Sequence, residues 1–102
     1  MWVSVAAVAS IPPGDYAQAE IDGRVVAVFN VDGEFFAVED VCTHDGGGLS
    51  GGAVEGDKVV CPRHGAKFCL RTGAALTPPA YEPVTTYLTR IREGIVEIAS
   101  QP

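Results

Sequence analysis

Hydrophobic and polar positions alternate with a short period along both ends of the chain. The segments 16–21, 24–31 and 34–39 are rich in Val, Ile, Phe and Tyr, and Asp22-Gly23 and Asp32-Gly33 separate them. An Asp-Gly pair between two such runs is the strongest short-range hairpin signal. Near the end, 84–92 and 95–99 flank Glu93-Gly94, and Ile95-Val96-Glu97-Ile98 alternates roughly as a half-buried strand does. Long helical periods are missing. The stretch 5–11 is expected to form a turn or two of helix before Pro12-Pro13-Gly14 stops it. The expected fold class is therefore all-β, a small antiparallel sandwich or barrel, with no internal repeat and no linker.

The middle of the chain reads differently. Between Cys42 and Gly56 lie six glycines, Gly46, Gly47, Gly48, Gly51, Gly52 and Gly56, and further loops are expected at Pro62-Arg63-His64-Gly65 and Thr77-Pro78-Pro79-Ala80. Functional side chains often sit on loops held by a rigid sheet.

Length and charge narrow the class. The 102 residues form a single domain, 1–102, and 47% hydrophobic with 20% charged residues is a globular composition. A formal charge of −6 argues against nucleic acid, which is bound through basic patches. It suits steered docking onto a more basic protein. Met1-Trp2-Val3-Ser4-Val5 opens no basic or long apolar segment, so no membrane association is expected. Three cysteines make no disulfide framework, and the expected compartment is the cytoplasm.

The chemistry is concentrated at Cys42-Thr43-His44 and Cys61-Pro62-Arg63-His64, with sixteen residues between His44 and Cys61. Both histidines and two of the three cysteines fall in this pattern. Thiolates suit iron–sulfur clusters or zinc, and imidazole is the neutral, less donating partner. Structural zinc usually pairs Cys with Cys and His with His, which matches this spacing poorly, but a zinc-stabilised binding module stays open at this point.

Cys-Thr-His-Asp-Gly-Gly-Gly-Leu-Ser-Gly-Gly at 42–52 and Val-Cys-Pro-Arg-His-Gly-Ala-Lys-Phe at 60–68 closely resemble the two cluster-binding boxes of Rieske proteins. The resemblance continues through Arg71-Thr72-Gly73 and Pro78-Pro79-Ala80-Tyr81-Glu82-Pro83, which gives a cluster-binding subdomain of about 42–83. It is strongest to the soluble ferredoxins of bacterial aromatic-ring-hydroxylating dioxygenase systems. It implies one [2Fe–2S] cluster per chain, with Cys42 and Cys61 on one iron and His44 and His64 on the other. It also implies a one-electron carrier, a monomer and not an enzyme, that takes electrons from an NAD(P)H-dependent flavoprotein reductase and delivers them to a terminal oxygenase. The alternative within the same family is a small subunit of a multi-subunit oxidoreductase such as a nitrite-reductase-like enzyme. Gly46, Gly47 and Gly65 are expected to let backbone N–H groups point at the cluster sulfurs. The proline loop is expected to cover one side.

Departures from the family pattern refine this. High-potential relatives carry a disulfide between the boxes, and the corresponding places here are Gly47 and Arg63. Their serine and tyrosine hydroxyl donors correspond to Ala66 and Phe68. Fewer hydrogen bonds to sulfur make reduction harder, so the expected potential is about −150 mV, the low end of the Rieske range.

The remaining residues take plainer readings. Cys69 is expected to be a buried free thiol. Asp45 is expected to cap a loop or stay solvated. Arg63, Lys67 and Arg71 form a basic cluster of ordinary surface, except that Arg63 stands between two ligands at a tip where a partner could dock. Trp2, Phe29, Phe35, Phe36 and Tyr87 are expected to be packing residues.

Overall fold

Three dipeptide turns set the register of the main sheet in the computed structural model, which describes residues 1–101. Ile21 pairs with Arg24 across Asp22-Gly23, Val31 with Glu34 across Asp32-Gly33, and Arg92 with Ile95 across Glu93-Gly94. Asp22, Asp32 and Glu93 have φ of 52°, 51° and 53°, the left-handed backbone that tight two-residue hairpins require.

In chain order the elements are β1 (Val3–Ala7), a 3-10 turn (Val8–Ser10), β2 (Tyr16–Ile21), β3 (Arg24–Val31), β4 (Glu34–Glu39), β5 (Val54–Glu55), β6 (Lys58–Val60), β7 (Lys67–Cys69), β8 (Thr86–Arg92) and β9 (Ile95–Ser100). The first sheet runs β1-β9-β8-β4-β3-β2, all antiparallel. Its edge strands β1 and β2 approach each other, so it curls into a nearly closed barrel. A second sheet, β5-β6-β7, carries the central loops. The all-β antiparallel expectation holds. Among the described residues no helix is long and apolar enough to cross a membrane.

Three details differ from the sequence reading. Residues 3–7 form a strand against β9, and the expected helix shrinks to the single turn at 8–10. The last hairpin begins at Thr86, because Val84 donates its N–H to Gly73 instead of entering the ladder. The centre contains three short strands as well as loops.

Burial explains why β3 has no polar alternation. Val26 and Val28 face a core with Ile11, Ile21, Phe35, Tyr87, Val96 and Ile98 inside the barrel. Ala27 and Phe29, pointing the other way, join a second core with Val38, Leu49, Val59, Phe68, Cys42 and Cys61. A strand covered on both faces reads as a continuous apolar run. This second core lies between the barrel and the small sheet, and it anchors the two cysteines.

Candidate metal centre

The two motif loops are built alike. In the first, the Cys42 N–H donates to the Gly47 carbonyl at 2.6 Å and the Gly46 N–H to the Cys42 carbonyl at 2.7 Å. In the second, the Cys61 N–H donates to the Ala66 carbonyl at 2.7 Å and the Gly65 N–H to the Cys61 carbonyl at 3.0 Å. Gly46 and Gly65 hold the same place, at φ of 78° and 76°, where a side chain would be strained. Each loop therefore closes on its own cysteine and turns the following histidine outward.

Both cysteines are 1% exposed, whereas His44 and His64 are exposed. The imidazole centroids lie 5.2 Å apart, edge to face at 89°. Donor atoms of Cys42, Asp45 and Cys61 lie within 4.8 Å of one another, and so do those of His44, Asp45 and His64. The thiols thus pair inside and the imidazoles outside. Such a split set fits a binuclear cluster with unlike ends better than one tetrahedral zinc ion, which needs all four donors around a single point.

Backbone dipoles of the two loops support the sulfurs. The N–H groups of His44 and Asp45 face Cys42, and those of Arg63 and His64 face Cys61. The N–H groups of Gly46, Gly47 and Gly65 are spent inside the loops. Burial opposes ionisation of both thiols and pushes Cys42 up. At Cys61 the opposing N–H groups, the neighbouring Cys42 and the Arg63 guanidinium outweigh burial and bring the thiol down.

Asp45 and Arg63 carry more than the sequence suggested. Arg63 Nε donates to Asp45 Oδ2 at 2.6 Å and Nη2 to Oδ1 at 2.9 Å, while Nη1 donates to the Gly48 carbonyl at 2.9 Å. Asp45 Oδ1 also accepts the Gly47 N–H at 2.9 Å, the expected loop cap. The Arg63 fork holds the Asp45 carboxyl well below the usual carboxylate range, helped by that N–H. Gly47 lies directly under the guanidinium, since a Cβ there would meet Arg63 Cζ at 2.5 Å. The other two members of the basic cluster are also paired, Lys67 with Glu55 and Arg71 with Glu34 and Asp57.

Two further residues shape the site. Asp40 takes hydrogen bonds from Leu49, Ser50 and Gln18 and fixes the far end of the first loop. Thr43 donates to the Glu82 carbonyl at 2.7 Å, tying the proline loop to the same box. Neither could be found from spacing, because both partners are distant in sequence. Cys69 is half-buried and outside the cluster of donors.

A barrel bearing two matched loops with thiols inward and imidazoles outward defines a binuclear iron–sulfur protein. Residues 1–88 match the Rieske [2Fe-2S] domain model, and the chain belongs to that family. A biphenyl dioxygenase ferredoxin subunit from Pseudomonas sp. (strain KKS102) is 47% identical, covering 96% of this chain and 93% of the relative. The Sphingomonas yanoikuyae B1 ferredoxin matches all of this chain and all of its own (100% each) at 36% identity and a TM-score of 0.89. A chain in the complex of reduced oxygenase and oxidized ferredoxin of carbazole 1,9a-dioxygenase matches at 34% identity and a TM-score of 0.91, covering 98% of this chain and 94% of its own. The protein is therefore an electron-transfer component with a Rieske-type [2Fe–2S] cluster rather than a catalytic subunit. Family membership decides between the cluster and zinc.

Proposed function

We propose that Cys42 and Cys61 hold one iron of the cluster and His44 and His64 the other, within a subdomain spanning about 42–83. When bound, the cluster stores and releases a single electron. The observation carrying this reading is the split environment, with two thiols 1% exposed and two imidazoles at the surface. Low-dielectric packing around the thiols excludes water from the sulfur end. The exposed ring edges offer the shortest way out to a partner. The Thr43 bond to the Glu82 carbonyl brings the proline loop beside the first box, and Tyr81 and Glu82 of that loop are exposed.

On this reading the chain receives electrons from a flavoprotein reductase in the cytoplasm and delivers them to a terminal ring-hydroxylating oxygenase. The similarity to ferredoxin subunits of dioxygenases supports the oxygenase, and the reductase follows from the carrier's need for a donor. The potential belongs near the low end, about −150 mV, since Ala66 and Phe68 bring no hydroxyl to the buried sulfurs. Electron paramagnetic resonance of the dithionite-reduced protein, with a potential titration, tests ligands and potential together. The expected result is the signature of a histidine-ligated [2Fe–2S] centre. A midpoint well above zero, or an all-cysteine signature, would overturn the assignment.

A further inference from the structure

Asp45 occupies an unusual place, within 4.8 Å of donor atoms of both the cysteine pair and the histidine pair. Carboxylate oxygen is a competent ligand for iron. Its Oδ2 lies 3.5 Å from His64 Nδ1, so a free carboxylate here would rival an imidazole for the same metal. It is not free. Arg63 engages both oxygens, at 2.6 and 2.9 Å, and the Gly47 N–H donates a second bond to Oδ1. The guanidinium is held in turn by the Gly48 carbonyl and by the bare face of Gly47, where a methyl group could not fit without displacing it. Bidentate pairing of this kind fixes a carboxylate's orientation as well as its charge.

Resting on the ligand assignment above, we propose that Arg63 sequesters the Asp45 carboxylate, keeping it a non-ligating anion beside His64 and so preserving histidine ligation. Arg63 and Asp45 are positioning residues. Neither would be a ligand in this arrangement. An ordinary exposed ion pair between loops would add little and would leave the metal's surroundings unchanged. Sequestration predicts something a staple does not: the damage done by losing Arg63 comes from the carboxylate it releases.

The test compares cluster-loaded parent, Arg63→Gln, Gly47→Ala and the double variant Arg63→Gln with Asp45→Asn. The readouts are the reduced-state paramagnetic spectrum and the rate of cluster bleaching by a chelator, with circular dichroism as a check of fold. Arg63→Gln is expected to depart from the parent spectrum and to bleach roughly tenfold faster, the low end of what loss of a supporting partner costs a metal site. Gly47→Ala should reproduce this without changing any charge, by pushing the guanidinium aside. Adding Asp45→Asn to Arg63→Gln should restore the parent spectrum, because an amide ligates iron poorly yet still accepts the Gly47 N–H. A parent-like Arg63→Gln or Gly47→Ala overturns the proposal, and so does a double variant as altered as the single one. A parent spectrum without histidine ligation would instead sink the ligand assignment.

Discussion

Asp40 grips Ser50 twice, with Oδ1 accepting the backbone N–H at 2.8 Å and Oδ2 accepting the hydroxyl at 2.7 Å. Oδ1 also accepts the Leu49 N–H at 2.6 Å, and Leu49 is fully buried in the core that holds the cysteines. One carboxylate therefore ties the end of β4 to the loop that follows the first ligand pair. Burial opposes its ionisation, but the donors from Ser50, Gln18 and Leu49 win and lower its pKa.

Asp40→Ala should strand the Leu49 and Ser50 N–H groups half-buried without an acceptor. Such groups cost about 1–3 kcal/mol, and about 2 kcal/mol corresponds to roughly 10 °C of thermal midpoint for a domain of this size. Asp40→Asn keeps one acceptor oxygen and should fall between the alanine variant and the parent. Thermal denaturation of the cluster-loaded proteins checks this order, and an alanine variant melting with the parent would refute the role.

Gly73 joins the small sheet to the start of β8. It has φ of 81°, it donates to the Cys69 carbonyl at 2.7 Å, and its own carbonyl accepts the Val84 N–H at 2.8 Å. A Cβ there would lie 2.2 Å from the Val84 carbonyl oxygen. Gly73→Ala adds that clash to a left-handed backbone costing about 1–2 kcal/mol. The expected loss is at least that amount, read as a lower thermal midpoint. Gly51→Ala has a similar φ of 89° but open space around it, so it should cost less.

Legibility in the sequence followed the range of the interaction. Asp22-Gly23, Asp32-Gly33 and Glu93-Gly94 are local signals, and each hairpin formed with the two-residue register they imply. Residues 3–7 carried no such signal, because their partner strand is β9 at the other end of the chain, and the pairing slips between Ser4 and Ala6. The strands β6 and β7 are three residues each and flank the second ligand loop, too short for any period to show. The two Cys–His pairs were readable because each lies within four consecutive residues. The clasp of Asp45 on Arg63 was not, since eighteen positions separate two charges that look like ordinary surface.

Cys69 provides a pH-dependent expectation away from the ligands. The Thr72 hydroxyl bonds to its sulfur, and this, with N–H groups of Thr72 and Arg71, outweighs burial and lowers the thiol pKa. Thiolate is the reactive form, so alkylation of the cluster-loaded protein should rise with pH earlier than for an ordinary thiol. Thr72→Val removes the leading donor and should move that rise to higher pH. Mass spectrometry of iodoacetamide-treated protein across a pH series reads the midpoint, with Cys69→Ala as the labelling control. An unchanged midpoint in Thr72→Val would show that the hydroxyl does not set it.

Ala66 offers the most direct handle on the potential. Its carbonyl closes the second loop on the Cys61 N–H at 2.7 Å, and its side chain is fully buried in the core with both cysteines. Ala66→Ser adds one small hydroxyl donor at that place, where the high-potential relatives of the family carry a serine. A hydrogen bond that strengthens as the sulfurs gain negative charge favours the reduced state, so the midpoint should move upward. A differential of about 1.4 kcal/mol corresponds to about 59 mV for a one-electron couple, and a shift on the order of tens of millivolts is expected. Spectroelectrochemical titration of parent and variant at one pH and one salt concentration measures it. A fall in the midpoint, or none, would mean that a hydroxyl at this position does not raise the potential.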